Sequence, residues 1–266
     1  MILPLAYAYC NVPIMPLRAE PNHTSEQTSQ LLFGEKAEVI EVDTKDWAYI
    51  QVERDGYRGW CKQSQLALIL KKEYTKEVKY VAASHKDKLV FPDGEMWVPL
   101  GSELTWLKGG KMRPGNTSAK FKGKKIKVKK AALDCQALVN AAKQYLHAPY
   151  QWGGRSMAGI DCSGLTQMAF KLCNYSLPRD AKQQAQEGTL VDFLQNAQCG
   201  DLAFFDNKEG KIVHVGILID NQTIIHATDT AGRVVIDRID QGGIVSVSLK
   251  KRTHNLRMVK RFPLNS

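Results

Sequence analysis

No stretch of the 266-residue sequence approaches the ~20 consecutive apolar residues of a membrane-spanning helix, so no membrane span is expected. The six cysteines, at positions 10, 61, 135, 162, 173 and 199, contain no C-x-x-C pair and no zinc-ligand spacing. Neither a metal nor a cofactor is therefore expected. In a chain of this length the cysteines read as mostly reduced thiols and not as a disulfide framework. The opening "MILPLAYAYCNVPIMPLRAEP" lacks the charged start, apolar block and cleavage site of a secretory signal, and Pro4, Pro13 and Pro16 interrupt it. This favours a cytoplasmic chain, or a periplasmic or cell-envelope one if a leader has been removed. What is present is the composition of a protein with a real core: 44% hydrophobic and 24% charged residues. The net charge of +10 favours acidic partners.

Three segments follow one another, of residues 1–70, 71–130 and 131–266. In the first, "KAEVIEV" (36–42) and "WAYIQVE" (47–53) alternate apolar and polar side chains, and "DGYRGW" (55–60) is a turn entering another strand. Short strands in such number over about seventy residues suggest a small β-barrel. The second segment gives a weaker β pattern in "VKYVAAS", "MWVPLGSEL" and "KIKVKK". Ten Lys or Arg fall between positions 108 and 130. Alternating basic residues most simply make the solvated face of a sheet. With no interleaved aromatics and no recognition helix, nucleic acid is not an expected partner.

Beyond residue 131 the period changes. "AALDCQALVNAAKQYLHAP" spaces Leu133, Ala137, Leu138, Ala141 and Tyr145 as an amphipathic helix closed by Pro149, and "CSGLTQMAFKLCNY" predicts a second helix. "DLAFF", "IVHVGILID", "TIIHAT" and "VVIDRI" then predict consecutive strands. Helices first and an antiparallel meander after them define an α+β domain.

Cys162 stands at the predicted start of the second helix, flanked by Asp161 and Ser163. Unpaired amides and the helix dipole there favour a thiolate, and the same amides can hold an oxyanion. A histidine could serve as its base. In "HVGILIDNQTIIHA" a two-residue loop at Asp220–Asn221 would set Val215 opposite His226, so a small bulge or register shift makes His214 and His226 neighbours. Together they supply nucleophile, base and orienting group. Cys10, Cys61, Cys135, Cys173 and Cys199, and His23, His85, His147 and His254, lack such a setting and read as structural.

The motifs "PYQWGGRSMAGIDCSGL", "LPRDAKQQAQEG", "GDLAFFD", "HVGILID" and "IIHA" occur in the order found in NlpC-type peptidases, papain-like cysteine peptidases of bacterial cell-wall metabolism. Residues 131–266 resemble that family. The first segment resembles a bacterial SH3 domain, through L-R-x-x-P, a long loop, G-E-x-x-x-V, W-x-x-I and G-Y-x-G-W, and the second is similar to a divergent copy. The resemblance implies a papain-like catalytic domain, N-terminal helices packed on an antiparallel sheet, preceded by two SH3-like barrels. It implies Cys162 as nucleophile, His214 as general base, His226 as the orienting residue and Tyr150 near the oxyanion, beside the cap residues Asp161 and Ser163.

Two SH3 modules ahead of such a domain resemble the γ-D-glutamyl-L-diamino-acid endopeptidases, which act on murein stem peptides with a free N-terminal L-Ala. By that likeness Asp180 binds the substrate's α-amine, Trp152 lines the pocket, and the first barrel contributes Tyr57 and Glu26. Ala181 stands where that group often carries a serine ligand for the D-Glu carboxylate. A monomer is expected. Two other readings are an amidase or acyltransferase on the same scaffold, and a cell-wall binding protein using its SH3 modules. Intact Cys162, His214 and His226 argue against the last, since a binding protein needs none of them.

Overall fold

Alternation of side chains turns the N-terminal half of the chain into strands. In the computed structural model, which describes residues 3–113 and 118–264, these are β1 (Ala6–Cys10), β2 (Ile14–Arg18), β3 (Gln27–Leu32), β4 (Lys36–Val42), β5 (Trp47–Val52), β6 (Arg58–Lys62) and β7 (Leu66–Ile69). They form one antiparallel sheet in the order β3-β2-β6-β5-β4-β1-β7. Every second residue points inward, so Ala8, Cys10, Met15, Leu17, Val39 and Ile50 make a common core. A one-turn helix, α1 (Lys71–Tyr74), follows.

Then come β8 (Tyr80–Ala82), β9 (Lys88–Phe91), β10 (Gly94–Trp97), β11 (Leu107–Lys108), β12 (Lys111–Met112), β13 (Ala119–Lys122) and β14 (Lys125–Lys127). Five of them form the sheet β10-β9-β13-β12-β11, while β14 pairs with β8. Leu89, Val98, Leu104, Trp106 and Phe121 fill its core, joined by Tyr9 and Phe33 from the first segment. The basic run is shorter as a strand than its alternation predicts, because residues 128–130 turn into a 3₁₀ helix.

Residues 1–131 and 155–157 form one compact unit, and residues 132–154 and 158–266 the other. In the first, the buried Arg155 guanidinium grips Glu35 through both carboxylate oxygens, at 2.8 and 2.9 Å, and also donates to the Gln30 carbonyl. Such a pair is costly to break from one side, about 3–5 kcal/mol, because the remaining charge stays buried. Gly34 needs its missing side chain: its φ is +83° and the Glu103 carbonyl occupies the space of a Cβ.

The second unit begins with α2 (Cys135–Lys143), capped by Asp134 through the Ala137 amide at 2.7 Å. After β15 (Arg155–Ser156), which belongs to the first unit, the second unit continues with β16 (Gly159–Ile160), α3 (Cys162–Leu172) and α4 (Ala181–Gln184). The sequence predicts a helix here, and every residue of α3 is buried. Its polar side chains are satisfied internally, as where Thr166 donates to Gln184 at 2.7 Å.

The sheet comprises β17 (Thr189–Val191), β18 (Leu202–Asp206), β19 (Ile212–Leu218), β20 (Thr223–Thr228), β21 (Arg233–Asp240), β22 (Gly243–Ser246) and β23 (Lys251–Arg261). Strands β18 to β22 follow one another as the expected meander. The long β23 pairs with both β18 and β22, closing β18 to β23 into a ring, while β17 pairs only with β23 at its edge. Helix α3 packs against β19 and β20. Among the described residues no helix is long and apolar enough to cross a membrane.

One expectation about the cysteines is corrected. Cys135 and Cys199 are joined in a disulfide, with Cα atoms 5.5 Å apart, while Cys10, Cys61, Cys162 and Cys173 are free and buried. Two thiols 64 residues apart carry no spacing signal, and only the packing of α2 near the start of β18 brings them together. Closing a loop of that length stabilises the fold by about 4 kcal/mol in the chain-entropy description. The protein unfolded without reductant should therefore titrate four thiols with Ellman's reagent and six after reduction, and reduction should lower its melting midpoint.

Candidate active site

The site starts with a helix cap. Asp161 is the N-cap of α3; its Oδ1 accepts from the Gly164 amide at 2.7 Å and its Oδ2 from the Gly153 amide at 2.8 Å. The Arg179 guanidinium lies across the same carboxylate, at 2.6 and 3.1 Å, and also donates to Ser163 Oγ at 2.8 Å. All three side chains are buried. Asp161 and Ser163 thus hold the helix start in place. Arg179, which the sequence offers only as the residue before Asp180, is the missed partner that neutralises it.

Cys162 follows directly and is 5% exposed. Its thiol is pushed up to about 12, chiefly by burial and secondly by the Asp161 charge, while hydrogen bonding to the Val215 and Ser163 backbone and the Arg179 charge oppose the rise. The helix start does favour the thiolate, as expected from sequence, but burial outweighs it. His214 is held well below the usual imidazole range by burial first, and then by His226 and His254. Both shifts favour the uncharged forms, a neutral thiol and a neutral imidazole.

The histidines meet without a bulge between their strands. Ile217 pairs with Ile225 and Leu218 with Ile224, so the hairpin loop is one residue longer than predicted. Continued, that register sets Gly216, not Val215, opposite His226, and makes His214 the diagonal neighbour on the same face. His214 Nε2 and His226 Nδ1 are 2.8 Å apart. Gly216 permits this approach, because a Cβ there would stand 2.9 Å from the His226 Cβ.

Two residues that the sequence reading missed complete the cluster. Asp237, on β21, places Oδ2 3.2 Å from His226 Nε2 and accepts from the Val247 amide through Oδ1 at 2.8 Å. Burial raises its pKa, but the hydrogen bonds from His226 and Val247 outweigh this and hold it below the ordinary value. His254, read from sequence as structural, stacks on His214 with ring centroids 4.1 Å apart and planes 23° apart. Both lie where only the strand register and the closure through β23 bring them, and neither has a motif of its own. His214, His226 and His254 present nitrogens within 4.8 Å of one another. A metal ion lies in the plane of each ligating ring, and two nearly parallel planes offer no shared position, so the three do not converge on an ion as they stand.

The remaining expected residues are placed as follows. Tyr150 is half-buried, and its hydroxyl is raised above its ordinary range by burial first, then by Cys162, Asp161 and Asp229, so it stays protonated and can donate. Trp152 is 56% exposed. Asp180 begins α4, its side chain 33% exposed and its amide donating to Gln183 Oε1 at 3.3 Å. Tyr57 and Glu26 belong to the other unit, where Tyr57 packs on the core of the seven-stranded sheet and Glu26 is exposed. The sizeable depression beside Leu194, Asn221 and Arg238, about 780 Å³, contains none of these residues.

A buried thiol at a helix start, packed against a sheet that carries two hydrogen-bonded histidines, is equipment for thiol-dependent hydrolysis. Known proteins with this framework agree, and the protein is a cysteine peptidase, a hydrolase. Residues 147–253 match the model of the NlpC/P60 family, and residues 17–66 match the bacterial dipeptidyl-peptidase Sh3 domain. The gamma-D-glutamyl-L-lysine dipeptidyl-peptidase of Bacillus subtilis (strain 168) is 28% identical over 231 residues, covering 78% of this chain and 74% of its own. The protein of the same name from Bacillus cereus is 29% identical over 245 residues, covering 82% of this chain and 72% of its own. A crystal structure of an NlpC/P60 family protein from Bacillus cereus shares the fold, with a TM-score of 0.82 at 20% identity over 97% of this chain and 99% of that one.

With its thiol pushed up to about 12, Cys162 has a thiolate fraction that rises about tenfold per pH unit between about pH 6 and 9. Alkylation by iodoacetamide, followed at Cys162 by mass spectrometry, should climb with that slope. A plateau near neutrality would instead report a preformed thiolate–imidazolium pair.

Proposed function

We propose that the protein cleaves the γ-D-Glu–diamino-acid bond of murein stem peptides bearing a free N-terminal L-Ala, in cell-wall turnover or recycling. The observation that carries this reading is the 2.8 Å His214–His226 pair on the sheet against which Cys162 is packed. The names of the Bacillus relatives support the choice of bond.

In this mechanism His214 takes the Cys162 proton as the sulfur attacks the γ-carbonyl carbon of D-Glu. The oxyanion that forms accepts hydrogen bonds from the Cys162 amide and the Tyr150 hydroxyl. Protonated His214 returns the proton to the leaving amine of the diamino acid, and the C–N bond breaks, leaving a thioester. Water then attacks the thioester with His214 as base, releasing L-Ala-γ-D-Glu and the Cys162 thiol. His226 keeps the His214 ring in line throughout.

Asp180 is the proposed partner of the substrate ammonium, and Trp152 the wall beside it. A charge-assisted hydrogen bond of this kind is worth about 1.5 kcal/mol, the low end of its range, because water reaches a side chain 33% exposed. Reading residues 71–130 as a second SH3-like barrel belongs to the same proposal, supported by their five-stranded sheet. As to compartment, the Cys135–Cys199 bond supports the periplasm or cell envelope over the cytoplasm, since a reducing cytosol would keep the two thiols apart.

Folded Cys162→Ala protein should release no product from L-Ala-γ-D-Glu-diamino-acid tripeptide, and the wild type should release L-Ala-γ-D-Glu, both read by mass spectrometry. N-acetylated tripeptide and intact sacculi should be poor substrates, and Asp180→Ala should weaken only the free-amine peptide. Turnover by Cys162→Ala would end the mechanism. Equal rates on free and acetylated tripeptide would end the proposed substrate class.

A further inference from the structure

His214, His226 and Asp237 form a row across three neighbouring strands. Each step moves one strand over and two residues along, since His226 pairs with Val235 and Asp237 is its diagonal neighbour. The row is buried throughout, with His214 at 5%, His226 at 0% and Asp237 at 4% exposure. Water therefore does not choose where the protons sit; the three side chains choose among themselves.

That choice follows from hydrogen-bond chemistry. A neutral imidazole carries a single proton, and an ionised carboxylate only accepts. Both Asp237 oxygens are engaged, Oδ1 by the Val247 amide and Oδ2 by His226 Nε2. His226 must therefore carry its proton on Nε2, leaving Nδ1 as an acceptor. Nδ1 faces His214 Nε2 at 2.8 Å, so His214 in turn carries its proton on Nε2. The nitrogen left without a proton is His214 Nδ1.

We infer that Asp237 is a positioning residue that sets the proton arrangement of both histidines and so presents an unprotonated His214 Nδ1 to the thiol of Cys162. This rests on the reading of His214 as the base. Without the carboxylate, His226 can hold its proton on Nδ1 and donate it to His214 Nε2. His214 would then carry its own proton on Nδ1, where it blocks the transfer.

Asp237→Asn tests the idea sharply, because asparagine has one acceptor oxygen for two donors. With that oxygen on the fixed Val247 amide, the NH₂ group faces His226 Nε2 and forces the blocked arrangement. The expected result is a fall in kcat of roughly 10²- to 10⁴-fold with little change in KM, the scale of a wrong histidine tautomer in a serine-peptidase triad. Glutamine at 226 has no tautomers to relay, so in a His226→Gln background the added Asp237→Asn should cost less than about threefold. An equal loss in both backgrounds would mean that Asp237 acts only on the fold.

Long-range ¹⁵N–¹H NMR of histidine-labelled Cys162→Ala protein reads the tautomers without any turnover. Nε2–H on both His214 and His226, switching to Nδ1–H in Cys162→Ala/Asp237→Asn, is the expected pattern. Nδ1–H on His226 with Asp237 intact, or unchanged tautomers in the double variant, would overturn the inference. Activity in Cys162→Ala would instead sink the peptidase mechanism and leave these tautomers standing.

Discussion

The Arg179–Asp161 ion pair is the contact on which the catalytic unit is arranged. One buried carboxylate receives the Gly164 amide in the first turn of α3, the amide of Gly153 in the loop that carries Tyr150 and Trp152, and a guanidinium from the segment that leads into α4. Three stretches of chain that carry proposed site residues are thus tied to one group. Removing the arginine would strand the aspartate charge in the interior at a cost of about 3–5 kcal/mol. It would also release Ser163 and loosen the turn that aims Cys162. At Arg179 and Asp180 one side chain is turned inward and the next is partly exposed.

Burial sets the chemistry as much as it sets the fold. It raises the Cys162 thiol and lowers His214, so both shifts favour the uncharged forms. The charge that burial would otherwise exclude is carried by Asp237, where two hydrogen bonds compensate the lost water. Closure of the sheet through β23 stacks His254 on His214, so the His214 ring is held by a ring contact as well as by a hydrogen bond.

What could be read from the sequence was what short-range patterns carry. "KAEVIEV" coincides with β4, where alternation leaves one face to bury, and "TIIHAT" with β20, a short apolar run buried on both faces. The Asp-Cys-Ser junction marked the start of α3, since a cap needs only its own neighbours. Registers were harder. One additional residue in the hairpin loop moved the partner of His226 from Val215 to Gly216, and the diagonal place of Asp237 depends on a second register in turn. The Cys135–Cys199 bond and His254 depend on contacts between distant segments, for which spacing along the chain holds no information. Arg179 was hidden for another reason: an arginine next to an aspartate reads as a surface pair until its burial is known.

The disulfide also divides the catalytic chain topologically. It closes a covalent ring from residue 135 to residue 199 that contains Cys162, Tyr150, Arg179 and Asp180, while His214, His226 and Asp237 all lie outside it. A single backbone cut within the ring leaves both fragments joined through sulfur, with Cys162 still attached to the strands that bear His214 and His226. A cut between residues 200 and 213 has no such safeguard. The ring thus makes the half of the chain that bears Cys162 tolerant of nicking, and leaves the link to the histidine-bearing strands without that protection.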